Sequence, residues 1–82
     1  MYSTAQQATL ARLAGADWRV LAVHEDDLWI AKQGRLRKVF SRIDARGALL
    51  SGDRLEVVKA FGKAEAIRLV DAAFSLEDSV RG

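Results

Sequence analysis

One histidine, no cysteine and a scatter of serines and carboxylates are what this 82-residue chain offers for catalysis. A site of several histidines within one chain is excluded, as is a thiolate zinc centre. His24 is followed by Glu25, Asp26 and Asp27, which could hold a hard cation. That run lacks the alternating oxygen ligands and the glycine of a calcium loop, and it reads as a solvated turn. Ser41, Ser51 and Ser75 coexist with aspartates, but no G-x-S-x-G elbow exposes a nucleophile. Neither G-x-G-x-x-G nor G-x-x-x-x-G-K-S/T is present to cradle a phosphate. Asp53 and Glu56 read as charged surface. The chain is expected to be no enzyme, with no metal and no cofactor.

The remaining chemistry is that of surfaces. The formal charge is +2, yet residues 28–63 hold nine basic side chains against three acidic ones. Lys32, Arg35, Arg37, Lys38, Arg42 and Arg46 could pair with phosphates, so one expectation is nucleic-acid binding through the basic hairpin 32–46. No zinc-finger spacing, RNP-like aromatic pair or helix-turn-helix pattern accompanies them, and basic edge strands also resist aggregation without binding anything. Arg37 opposite Trp29 would make a cation–π pair within the protein. The two tryptophans are the other candidates, because tryptophan and arginine are common energetic anchors of interfaces.

These residues must be positioned by a small body. At 9.0 kDa, 50% hydrophobic and 29% charged, the chain is one ordinary globular domain, residues 1–82, whose last few residues are expected to be disordered. No run approaches the twenty apolar residues of a membrane span, and the N-terminus lacks a secretory layout. Absence of cysteine suits a reducing, cytoplasmic home. The Ala-, Arg- and Leu-rich make-up would suit a GC-rich bacterium, or one of its phages or plasmids.

Ser3 or Thr4, with Gln6 or Gln7, caps a first helix that carries a thin Leu10–Leu13 stripe and stops at Gly15. The period then falls to two. Residues 18–24, 28–32 and 35–40 read as a three-stranded meander, with turns at Glu25-Asp26-Asp27 and Lys32-Gln33-Gly34. Residues 53–61 alternate as a strand would, favoured over a short helix by β-branched Val57-Val58, and Ala48-Leu49-Leu50 would pair with them. From Gly62 onward Ala66, Ile67, Leu69, Val70, Ala73, Phe74 and Leu76 fill half of a helical circumference. On its other half Glu65–Arg68 and Arg68–Asp71 have supportive i,i+3 spacing. The expected fold class is α+β: an N-terminal helix, an antiparallel meander of three to five strands and an amphipathic C-terminal helix packed on the sheet.

Strict alternation assigns Leu21, Val23, Leu28, Ile30, Leu36 and Phe40 to one face. Trp18, Val20, Ala22, His24, Trp29 and Ala31 fall on the other, with Arg35, Arg37 and Val39. A solvated face normally turns polar, and this one does not. The N-terminal helix could cover it. Alternatively both helices lie on the first face, leaving the tryptophan face for a second copy or another protein, or for nucleic acid. A one-residue slip would exchange the faces. The functional expectation is a non-enzymatic protein-interaction module, accessory or regulatory and acting as a homodimer. Trp18, Val20, His24, Trp29, Arg37 and Val39 would be its contact face.

Overall fold

A computed structural model describes the backbone of residues 2–81 and the side chains of residues 2–75. The order is α1 (Thr4–Arg12), β1 (Arg19–His24), β2 (Asp27–Gln33), β3 (Lys38–Ile43), β4 (Leu49–Gly52), α2 (Arg54–Phe61) and α3 (Lys63–Arg81). The four strands form one antiparallel sheet in sequence order, so the architecture is the expected α+β meander with helices on it. The expectation of a disordered C-terminus concerns Gly82 and side chains beyond residue 75, which lie outside the described residues. No helix among the described residues is long and apolar enough to cross a membrane.

α1 opens with the expected capping box. The Ser3 hydroxyl accepts the Gln6 amide at 3.1 Å, and the Ser3 amide donates to Gln6 Oε1 at 2.8 Å. The thin apolar stripe then needs help, and polar side chains supply it. Gln6, 2% exposed, donates from Nε2 to the carbonyls of Asp26 at 2.7 Å and Ile43 at 2.9 Å. Thr9 donates to the carbonyl of Gly47 at 2.6 Å. Gly47 has φ +91°, and a Cβ there would stand 2.9 Å from the Ala5 carbonyl oxygen. Only glycine lets the β3–β4 turn come this close to α1.

The bond to Asp26 also steadies a demanding turn. His24 pairs with Asp27, leaving a two-residue loop in which Glu25 and Asp26 have φ +49° and +70°. Positive φ at both positions is what a type I′ hairpin requires, usually met by asparagine and glycine. Here the Gln6 amide group holds the turn from outside.

The face assignment of strict alternation does not survive. The β1–β2 register shifts between Val20, opposite Ile30, and Ala22, opposite Trp29, so a bulge at Leu21 reverses the phase of the strand. Trp18 and Val20 therefore join Leu28, Ile30 and Ile43 beneath α1, with Leu10 and Leu13. Leu21, Trp29, Ala31 and Phe40 share the opposite side with Val57 of α2 and Ala66 of α3. The two tryptophans lie on opposite faces of the sheet, and helices cover both faces.

Three further corrections follow. Residues 54–61 are a helix, not a strand: the Asp53 carboxylate caps it by accepting the Glu56 amide at 2.8 Å, and Gly62 ends it at φ +87°. Val57, Val58 and Phe61 then reach the core from one helical face, and the packing outweighs the β preference of the two valines. β4 pairs with β3 rather than with residues 53–61. The second turn falls later than expected, with Gly34 donating to the Arg37 carbonyl at 2.9 Å, so β3 begins only at Lys38.

Candidate functional site

The residues expected to form one contact face are dispersed. Trp18 and Val20 are half-buried on the α1 side, with Lys32 Nζ 4.8 Å from the centre of the Trp18 ring. Trp29 is 4% exposed beneath α2 and α3. His24 is half-buried with its ring edge-on to Phe61, centroids 5.4 Å apart. Arg42, not Arg37, lies opposite Trp29: its guanidinium is 5.8 Å from the ring centre and donates to Asp27 at 3.0 Å. The later start of β3 is the reason. The homodimer expected from an uncovered tryptophan face loses the face it rested on.

The basic set is dispersed as well. Lys32 lies over Trp18, Lys38 is 4.9 Å from the Phe74 ring centre, and Arg42 is paired with Asp27. Arg35 and Arg37 are exposed at the β2–β3 tip, whereas Arg46 is in the turn at the far end of β3. These six cations do not share one continuous surface.

What remains open is a groove of about 1090 Å³ between the β2–β3 tip, the β4–α2 join and the first turns of α3. Its floor is the edge of the core, with Phe40, Val57 and Ala66 below and half-buried Val58 and Val70 above them. Four large apolar side chains along it are exposed: Leu36 92%, Leu55 61%, Ile67 49% and Val39 41%. Single exposed apolar residues are unremarkable, whereas here several border one concavity. Gly52 lines the groove with the Trp29 ring packed on its backbone, where a Cβ would stand 2.5 Å from Cζ3. The tryptophan thus packs directly against the groove wall.

Of the residues singled out in the sequence, Arg37, Val39 and Lys38 line this groove. Leu36, Leu55, Ile67, Arg54 and Lys63 were missed as site residues. Strict alternation places Leu36 on the sheet face with Leu28 and Ile30, whereas it stands 92% exposed. The available signal was the stripe of α3, which is broader than one sheet contact requires, and a leucine between two arginines after Gly34.

The charges of the groove are unbalanced. Arg37, Lys38, Arg54 and Lys63 line it, against Asp53 and Asp71. Arg54 and Lys63 are the first residues of α2 and α3, where the helix dipole already puts positive potential and a cation is unfavourable. Among the described residues no carboxylate comes within 4.0 Å of Arg37, Arg54 or Lys63 to form an ion pair. Among the described residues the lining contains no histidine, serine or cysteine, and there is no cluster of three or more potential metal ligands. The lining combines an apolar floor, four exposed apolar side chains and a rim with more cations than carboxylates.

The chain matches no protein-family model, and no curated protein or solved structure matches it significantly.

Proposed function

We propose that this protein is a small, non-enzymatic protein-interaction module, and that it receives part of another protein in the groove between the β2–β3 tip and helices α2 and α3. The observation that carries this reading is the convergence of exposed Leu36, Leu55 and Ile67 on one concavity floored by the core. Such side chains gain roughly 25 cal/mol for each Å² of apolar surface that a partner removes from water. The groove's volume, about 1090 Å³, stands at the upper end of the roughly 300–1,000 Å³ range of small-ligand pockets and leaves room for a short polypeptide segment.

A photo-reactive amino acid placed at position 36 or 67 should give a discrete adduct with a second protein in host cells. The same group at exposed Arg46 should not. Leu55→Ser should abolish the adduct while changing unfolding free energy by no more than about 0.5 kcal/mol, as for an exposed side chain outside the core. Equal labelling from position 46, or no adduct from either groove position, overturns the reading.

A further inference from the structure

Building on that reading, we infer that the groove's occupant is an acidic, apolar segment of another protein, one that carries carboxylates beside large apolar side chains. The argument is charge complementarity. Among the described residues the rim holds four cations and two carboxylates, and one of the two, Asp53, already caps α2 through the Glu56 amide at 2.8 Å. Arg37, Arg54 and Lys63 are without carboxylate partners among the described residues. Two of them stand at helix starts, where folding alone gains nothing from a positive charge. Like charges gathered around an apolar floor repel one another in the free protein, and an anionic partner turns that repulsion into attraction.

The same arrangement disfavours other occupants. In a two-fold self-association through this groove each copy would present the same cationic rim to the other. A nucleic acid would satisfy the cations, but its backbone would leave Leu36, Leu55 and Ile67 against phosphate. Among the described lining residues only Phe40 is aromatic, and it is buried beneath the groove, so these residues offer bases no stacking platform. Acidic side chains on an apolar segment answer both parts of the lining at once.

The test uses the whole protein, labelled with ¹⁵N, and synthetic peptides. One is built of Leu, Phe, Asp and Glu. A second keeps the Leu and Phe but carries Lys at every acidic position, and a single-stranded oligonucleotide serves as a third probe. The acidic peptide should shift the amides of Leu36, Leu55 and Ile67, bind at least about tenfold more tightly than the lysine peptide, and weaken as salt is raised. Arg37→Glu combined with Lys63→Glu should remove that preference while leaving the rest of the spectrum in place. Trp18→Phe isolates Trp29, whose contact with Gly52 makes its fluorescence a second readout of occupancy.

Equal or tighter binding of the lysine peptide overturns the acidic partner and leaves the groove reading standing. So does a silent acidic peptide alongside crosslinks from positions 36 and 67. Groove amides that respond only to the oligonucleotide replace a protein partner with nucleic acid. Shifts that depend on protein concentration alone identify a second copy as the occupant, against the inference. If no probe moves the groove and no crosslink forms, both readings fall.

Discussion

The two faces of the sheet are closed by different means. On the α1 side a helix with little apolar surface is pinned by buried hydrogen bonds from Gln6 and Thr9 to loop carbonyls. Directional bonds fix where α1 sits, and Leu28, Ile30 and Ile43 beneath it are fully buried. On the other side α2 and α3 rest on Leu21, Trp29, Ala31 and Phe40 by apolar contact. Their stripes are broader than the sheet can cover, and the surplus is Leu55 and Ile67 facing the groove. The α1 face is held by directional hydrogen bonds, whereas the apolar face supplies both the larger core and the proposed docking surface.

The sharpest way to break this contrast is Trp29→Ala. The indole is almost fully buried and touches the groove wall, so its loss leaves a cavity beneath both helices. Large-to-small changes of this kind cost about 3–5 kcal/mol, enough to threaten a domain of this size. Urea unfolding followed by far-UV circular dichroism should show the loss. A cost under about 1 kcal/mol would mean that the sheet and helices on this side can close over the gap, contrary to dense packing.

Gln6→Leu tests the opposite face. It keeps the bulk but strands the carbonyls of Asp26 and Ile43 and removes half of the capping box, for an expected loss of about 1–3 kcal/mol. Amide exchange should also accelerate at Glu25 and Asp26, whose positive φ values the glutamine helps to hold. Unchanged exchange there would show that the turn keeps its conformation without α1.

Much of this was legible before the structure. The capping box at Ser3 and Gln6, the meander order and the α3 stripe follow from local rules that tertiary packing here reinforces. The placement of side chains on the two faces was not legible, because the bulge at Leu21 carries neither glycine nor a charge to announce it. One extra residue inverted the phase and separated the tryptophans. Residues 54–61 misled for a different reason. Val57-Val58 favours a strand locally, but Asp53 and Gly62 bracket a helix, and burial of Val57 and Phe61 decides the matter. The groove was hidden because Leu36 fits an alternating pattern that stops, in the folded chain, at the Gly34–Arg37 turn.

The smallest expected effect concerns how charge is treated on either side of α3. Outside the groove Glu65 is engaged by Arg68, which donates from Nε and Nη2 at 2.6 and 2.7 Å. Those hydrogen bonds, aided by the opposite charge and opposed by slight desolvation, hold the Glu65 carboxyl below the ordinary carboxylate range. A depressed folded-state value means that the pair's contribution is present above the pKa of the unfolded chain. It is lost as pH falls through the lower value of the folded one. Because both side chains are exposed, the change belongs to the titration curve rather than to global stability. Carbon-detected NMR should give Glu65 a midpoint below that of an unpaired glutamate, and Arg68→Gln should return it upward. Coincident curves for the two proteins would mean that solvent screens the pair completely, so that Glu65 and Arg68 titrate independently while the groove side of α3 keeps Lys63 and Asp71.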